Sequence, residues 1–135
     1  MRGTLLVFRP DHHQPNEVAL AKPIGLPDLQ AAVGGYIEEV PGFTSIAWHG
    51  TVMTCIALCN EHAKLEGRPF NQDATSLWEV ALRRVGQTLI KEQYSQHGLA
   101  DFLAGDVVVV FGDRPFMQAS GLTPDDVDEP PPDPL

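Results

Sequence analysis

Residues 59–71 carry the densest chemistry in the chain, because thirteen consecutive positions hold one thiol, two carboxylates, two cations and two carboxamides. A thiol such as that of Cys59 can act as a nucleophile when a nearby base deprotonates it. The carboxamides of Asn60 and Asn71 can both donate and accept hydrogen bonds. A glycine and a proline near the end of the segment interrupt any long helix or strand. The pattern therefore predicts a polar surface loop, the 59–71 loop.

A catalytic interpretation of the 59–71 loop takes Cys59 as the nucleophile of a small hydrolase and Glu61 as its general base. His62 is adjacent in the sequence, but no recognised protease or hydrolase signature surrounds this histidine. Adjacency along the chain also does not supply the geometry that a base needs. The hydrolase is the third of three functional hypotheses. We assign no catalytic residues and expect a non-enzymatic protein.

A binding interpretation uses the same loop as a set of hydrogen-bond donors and acceptors beside a sheet. Lys64 and Arg68 would contact the phosphates of a small nucleotide-like ligand. Asn60 or Asn71 would contact its base or ribose. The sequence has no Gly-rich phosphate loop of known spacing. The candidate ligand- or partner-binding residues are Asn60, Glu61, Lys64, Arg68 and Asn71.

A structural interpretation of the loop is the alternative. In it, Asn60 and Asn71 satisfy backbone groups in turns. Lys64 pairs with Glu61 across the surface, and Leu65 fills the core. The sequence leaves the binding and structural interpretations open, since both need polar side chains at the same positions.

The two cysteines of the chain, Cys55 and Cys59, are too few for a disulfide framework. On one strand, residues four apart are separated by about 13 Å, which exceeds the reach of a disulfide. A zinc site would join both cysteines to His62 and one further histidine. These residues lack the two-residue spacing that is usual for zinc ligands. We expect no disulfide, no metal and no cofactor.

The formal charge of −9 argues against nucleic acid as a direct partner, because binding to phosphates needs an excess of lysine and arginine. Residues 123–135 hold five acidic residues and five prolines. This composition is typical of a disordered or polyproline-like segment. We therefore predict one domain over residues 1–115 and a flexible Pro- and Asp-rich tail over residues 116–135.

The elements that would position the loop follow from apolar spacing and from turn residues. Strands are predicted where β-branched and aromatic residues run between prolines, glycines and polar turns. Helices are predicted where apolar residues recur at helical spacing. Residues 107–111 are apolar on both faces, so this strand is placed in the centre of the sheet. The predicted strands are 4–9, 17–20, 36–40, 43–49, 51–58 and 107–111, and the predicted helices are 27–33 and 77–93.

The two predicted helices have different signals. The first begins at Pro27 and Asp28, which suit a first helical turn, and ends at Gly34. The second takes its cap from one of Asp73, Thr75 and Ser76. Its apolar residues recur at helical spacing. They are Leu77, Ala81, Val85 and Leu89, with Trp78, Val80 and Leu82 beside them. The result is an α+β fold, a mostly antiparallel sheet with about two helices packed on one face.

Three blocks of the sequence occur in order: residues 29–38 (LQAAVGGYIE), the 59–71 loop, and residues 104–110 (AGDVVVV). Together they resemble the DUF3846 family, small proteins with a domain of unknown function. The resemblance covers most of residues 4–111. The loop departs from the family pattern at His62 and Ala63, and the chain is longer than the pattern between residues 71 and 101. The loop positions that match are Cys59, Asn60, Glu61, Lys64, Leu65, Gly67, Pro69 and Asn71.

The resemblance implies an accessory protein of mobile elements, because members of the family occur largely in bacteriophages, plasmids and bacteria that carry them. We expect the chain to bind a host protein with a basic surface, with antagonism of a host defence system as its use. The alternative is a binder or sponge for a small nucleotide-like ligand. Exposed strand edges also permit a homodimer.

The expected location is the cytoplasm, or the host cytoplasm for a phage-encoded protein. No stretch approaches the ~20 apolar residues of a membrane helix, and no apolar signal-peptide core follows the N-terminus. Neither a membrane nor nucleic acid is expected as a direct partner.

Overall fold

The structure is a computed structural model of the chain, and it describes residues 1–89 and 101–122. Within these ranges the chain forms seven strands and three helices. The strands are β1 (Gly3–Phe8), β2 (Asn16–Leu20), β3 (Ile37–Glu39), β4 (Ser45–Trp48), β5 (Thr51–Thr54), β6 (Ile56–Asn60) and β7 (Val107–Gly112). The helices are α1 (Leu26–Val33), α2 (Gln72–Arg84) and α3 (Arg114–Ala119). None of these helices is both long enough and apolar enough to cross a membrane.

Five of the strands form one sheet in the order β2-β1-β7-β6-β3, and every neighbouring pair is antiparallel. The strand that was predicted to be central, β7, lies in the middle, and its valines 107–110 are fully buried. A β-strand that is apolar on both faces needs cover on both sides, which the central position provides. The other two strands, β4 and β5, form a hairpin that turns at Gly50, as predicted. The predicted strand 51–58 is wrong as a single strand, because residues 51–54 pair with β4 and residues 56–60 form β6 in the five-stranded sheet.

Side chains alternate between two apolar cores, one on each face of the sheet. Leu5 and Val7 of β1 pack with α1 and α3, whereas Leu6 and Phe8 pack with α2. The predicted α+β class and the mostly antiparallel sheet are confirmed. The two predicted helices do not share one face: α1 packs on one side of the sheet and α2 on the other, and the helix that shares the face of α1 is α3, which was not predicted.

Helix α1 follows the sequence signals closely. Pro27 lies in its first turn, with Asp28 beside it. The helix ends at Gly34, which has a φ of 75°. Because a side chain strains this left-handed conformation, glycine is the residue that favours a helix end there. The amide of Gly35 then donates to the carbonyl of Gln30 at 3.0 Å.

Helix α2 corrects the predicted helix over residues 77–93. It begins at Gln72 and ends at Arg84, and residues 90–93 of the prediction lie outside the described residues. Its cap is Asn71, whose side chain accepts a hydrogen bond from the amide of Ala74 at 3.1 Å. The three cap candidates from the sequence, Asp73, Thr75 and Ser76, all lie inside the helix.

The buried face of α2 differs in part from the predicted apolar row. Of the predicted row, Ala81 and Leu89 are buried, Leu77 is half-buried and packs against the core, and Val85 is 47 % exposed, so the prediction is wrong at Val85. Trp78 and Leu82, which lie beside the predicted row, are buried as well. The buried residues of α2 are Ala74, Thr75, Trp78, Ala81 and Leu82. Together with residues of the β4–β5 hairpin, α2 covers the face of the sheet that carries Leu6 and Phe8.

Helix α3 corrects the predicted boundary between domain and tail. Phe116, which the prediction assigned to the tail, is fully buried. Its ring packs so closely on Gly3 that a β-carbon there would lie 2.3 Å from it. Asp113 caps the helix by accepting from the amide of Phe116 at 2.9 Å. The fold therefore continues to residue 122, and the part of the predicted tail over residues 123–135 lies outside the described residues.

Candidate functional site

The 59–71 loop connects the end of β6 to the start of α2, and Asn60 fixes its first turn. The side chain of Asn60 is buried, with 4 % exposure. Its Nδ2 donates to the carbonyls of Val33 and Gly34, each at 3.2 Å, and its Oδ1 accepts from the amide of His62 at 2.8 Å. Asn60 thus joins β6, the C-terminal end of α1 and the loop.

Arg68 joins the loop to the same end of α1 from the other side. Its Nη1 donates to the carbonyl of Val33 at 3.0 Å, and its Nη2 donates to the carbonyl of Gly34 at 3.2 Å. Its Nε donates to Glu66 at 2.8 Å. The last carbonyls of a helix lack partners within the helix and carry partial negative charge, so a guanidinium stabilises them.

Asn71 closes the loop and is fully buried. Its Nδ2 donates to the carbonyl of Phe8 at 2.9 Å and to that of Gly105 at 2.8 Å, while its Oδ1 caps α2. Both donors and the acceptor of its carboxamide are therefore in use. Asn71 ties together β1, the approach to β7 and α2. We name Asn60, Arg68 and Asn71 the frame of the loop.

The middle of the loop faces solvent. Leu65 is 87 % exposed, which corrects the expectation that it fills the core. In this turn, Ala63 is the apolar residue whose side chain is buried. Lys64 pairs with Asp101 and not with Glu61, which corrects a second expectation. Glu61 instead lies 3.8 Å from the imidazole of its neighbour His62.

Two aromatic rings extend this exposed surface. The ammonium of Lys64 lies 4.6 Å from the centroid of the Phe102 ring. The rings of Phe102 and Phe70 meet edge to face, with centroids 5.8 Å apart. Phe70 is 46 % exposed and Phe102 is 37 % exposed. We name Lys64, Leu65, Phe70 and Phe102 the tip surface. Exposed apolar side chains that form a patch can mark an interaction site.

A small cleft opens beside the tip surface, and we name it the Cys59 cleft. Its volume is about 140 Å³. Glu38 and Cys59 are directly opposite each other on β3 and β6, so their side chains lie on the same face of the sheet. The side chains that give the cleft its character are Glu38, Cys59, Lys64, Trp78, Asp101 and Phe102.

The electrostatics of the cleft suppress the reactivity of its thiol. Burial raises the pKa of Cys59 to about 11; the Glu38 carboxylate adds to the rise and the Lys64 ammonium opposes it. Burial likewise raises the pKa of Cys55 to about 12. The thiolate is the nucleophilic form of cysteine, so a catalytic cysteine normally has a lowered pKa.

The residues of the zinc hypothesis are not brought together. Within residues 1–89 and 101–122, no three His, Cys, Asp or Glu side chains gather closely enough to hold a metal ion. The Sγ of Cys55 points into the core, 3.7 Å from the carbonyl of Phe43.

Three residues of this region were not predicted from the sequence: Glu38, Phe70 and Phe102. Their positions become adjacent only through the pairing of β3 with β6 and through the contact between residues 70 and 104. The local signal in the sequence was that Phe70 lies near the end of the 59–71 loop and that Phe102 lies after the predicted helix 77–93. Two separate aromatic residues are a weak signal.

A family model, Domain of unknown function (DUF3846), matches residues 1–129 of the chain. No curated protein and no solved structure gives a significant match to the sequence.

Proposed function

This chain belongs to the DUF3846 family, and we propose that it is a non-enzymatic protein that binds a partner protein through the tip surface. The observation that carries this proposal is the 87 % exposure of Leu65. An exposed leucine contributes nothing to the core, and two other members of the tip surface, Phe70 and Phe102, are also exposed apolar residues. A protein partner would bury such a group, and burial of apolar area drives association.

The frame favours a protein partner over a nucleotide-like ligand. Asn60 and Asn71, which a base or ribose would need, are buried and bonded to backbone carbonyls. Arg68, which a phosphate would need, is bonded to the end of α1. Of the candidate residues, this leaves Lys64 and Glu61 for contacts with an outside molecule. One cation beside a carboxylate is a poor phosphate site.

The state of the cysteines favours binding over catalysis. At neutral pH a thiol with a pKa of about 11 is almost entirely protonated. Among the described residues, the histidine closest in sequence, His62, has its imidazole beside Glu61. A hydrolase that used Cys59 would need a base that deprotonates the thiol.

The charge of the chain supports a partner with a basic surface. A net charge of −9 attracts basic proteins and repels nucleic acids. Together with the family resemblance, this makes a host protein the partner that we propose for a mobile-element accessory protein. Antagonism of a host defence system is the use that we propose for that binding.

The test is capture from a bacterial lysate with three immobilised proteins: the wild type, Leu65→Ser and Val52→Ser. Val52 on β5 is the matched control, because it is also an exposed aliphatic residue at 57 %. We expect mass spectrometry to find a protein that the wild type and Val52→Ser retain and that Leu65→Ser loses. High salt should also release it, since opposite charges steer the association.

Two results would contradict the proposal. One is that the three baits retain the same proteins. The other is that the retained species is a small molecule, which mass spectrometry of the eluate detects and which would favour the nucleotide-like alternative.

A further inference from the structure

The charges that line the Cys59 cleft are unequal. Glu38 and Asp101 contribute two carboxylates, and Lys64 contributes one ammonium. All three groups act on the Cys59 thiol, because both carboxylates raise its pKa and the ammonium lowers it. All three side chains line the same cleft, Lys64 is paired with Asp101, and the sum of the three charges is negative.

The contacts of Lys64 show which groups bind a cation in the Cys59 cleft. Its ammonium donates to the carboxylate of Asp101. The same ammonium lies over the Phe102 ring, 4.6 Å from the centroid. A carboxylate on one side and an aromatic face on the other are the two groups that best stabilise an ammonium or a guanidinium.

Glu38 is the second carboxylate, and it is exposed. Within the part of the chain that the structure describes, it has neither an ion pair nor a side-chain hydrogen bond. Lys64 balances Asp101 alone, so the cleft retains one carboxylate without a cation.

The volume of the cleft limits what can enter it. A cavity of about 150 Å³ accommodates one benzene molecule. At about 140 Å³, the Cys59 cleft accommodates a guanidinium or an ammonium with one or two methylene groups. A nucleotide is far larger.

We infer that the Cys59 cleft is a receptor for the cationic side chain of an arginine or lysine on the partner protein. The incoming cation pairs with Glu38 and lies against Phe102, next to the tip surface. This inference rests on the proposed function and deepens it, because it names the chemistry by which a basic surface is recognised.

Lys64 has a definite effect under this inference. As a cation already inside the cleft, it repels the incoming one. Its removal should therefore strengthen the binding of a cationic side chain, whereas removal of Glu38 should weaken it. The phosphate-binding hypothesis predicts the opposite for Lys64, since a phosphate needs that ammonium.

The experiment is an NMR titration of the whole protein with N-acetyl-arginine methylamide, which carries the guanidinium alone. The matched control probe is N-acetyl-citrulline methylamide, which has almost the same shape and no charge. The variants are Glu38→Gln, Lys64→Met and, as a control on the opposite side of β3, Glu39→Gln. Chemical-shift changes at the amides of Glu38, Cys59 and Phe102 report the occupancy of the cleft.

We expect the arginine probe, but not the citrulline probe, to shift these amides. Glu38→Gln should weaken the binding roughly two- to fivefold and Lys64→Met should strengthen it by a similar factor, the range for ion pairs that are open to solvent. Glu39→Gln should leave it unchanged. Because the two effects have opposite signs, misfolding of a variant cannot imitate both.

The inference is overturned if both probes shift the same amides equally, or if Lys64→Met weakens the binding. The outcome is independent of the lysate capture, which depends on Leu65. If Leu65→Ser loses the captured partner but the arginine probe does not bind, the proposed function stands and the inference that the Cys59 cleft is a receptor is rejected.

Discussion

The ends of the 59–71 loop and its middle use similar side chains in different ways. At the ends, the carboxamides of Asn60 and Asn71 and the guanidinium of Arg68 donate to backbone carbonyls of the surrounding elements. In the middle, Lys64 and Leu65 face solvent. The frame has a structural role, and it holds the tip surface in a fixed place. A dense group of polar residues can therefore mark the support of a site as well as the site itself.

Within the frame, we expect the substitution of Asn71 to lower the free energy of unfolding most. In Asn71→Ala, the buried carbonyls of Phe8 and Gly105 lose their donor and α2 loses its cap. We expect the free energy of unfolding to fall by about 3–5 kcal/mol, since unpaired buried groups and a lost cap each cost stability. Urea unfolding followed by circular dichroism measures this.

The matched control for Asn71→Ala is Gln72→Ala, which changes the exposed neighbour at the start of α2. Its unfolding free energy should stay within about 0.5 kcal/mol of the wild type. If both variants lose the same small amount, the carboxamide of Asn71 does not support the loop.

The reactivity of the Cys59 thiol tests a second contrast, between the largely buried start of the loop and its exposed middle. With a pKa raised by burial to about 11, Cys59 should react with iodoacetamide roughly a hundredfold more slowly at pH 8 than a free cysteine does. Its rate should rise about tenfold for each pH unit from 8 to 10, because the thiolate fraction rises in that proportion.

Alkylation of Cys59 and Cys55 is resolved by mass spectrometry of their separate peptides. A rate at Cys59 that levels off below pH 9 would contradict the raised pKa. It would also restore the thiol as a candidate nucleophile.

Arg68 should have an intermediate effect, because its side chain is 31 % exposed and water can replace part of its bonding. We expect Arg68→Ala to lower the free energy of unfolding by about 1–2 kcal/mol, the value of charged hydrogen bonds at a helix end. Thermal and urea unfolding measure it.

The comparison for Arg68 is Arg83→Ala, which removes a 60 % exposed arginine from α2. It should cost about 0.5 kcal/mol or less, as is usual for an exposed ion pair. Equal losses in the two variants would mean that the guanidinium of Arg68 adds nothing to the end of α1.

Leu65 should have the smallest effect on stability. Leu65→Ser changes a side chain that is 87 % exposed, so the free energy of unfolding should stay within about 0.5 kcal/mol of the wild type. Urea unfolding measures it beside the lysate capture. A larger loss would show that Leu65 supports the fold and would remove the basis for its role in binding.

Local patterns were sufficient to predict the elements that depend on neighbouring residues. The central strand β7 followed from its run of valines, and α1 followed from Pro27 and Gly34. The two hairpins followed from runs of strand-forming residues bounded by Pro10 and by Gly50. In each case the signal and the element occupy the same few residues.

Long-range contacts explain what the sequence could not predict. The carboxamide of Asn71 caps α2 only because Phe8 and Gly105 hold it in place, and these partners are 63 and 34 residues away. The short helix α3 depends on the contact of Phe116 with Gly3 at the other end of the chain. The Cys59 cleft joins Glu38 to residues 101–104 in the same way.

The most direct test of the division between frame and tip is amide hydrogen exchange measured by NMR for each residue of the loop. The amides of Arg68 and Asn71 donate to the carbonyls of Ala63 and Leu103, at 2.9 and 2.8 Å. Among the described residues, the amide of Leu65 has no hydrogen-bond acceptor. We predict that the amide of Asn71 exchanges only through global unfolding and that the amide of Leu65 exchanges almost as fast as in an unfolded peptide. Equal protection of these two amides would contradict the account.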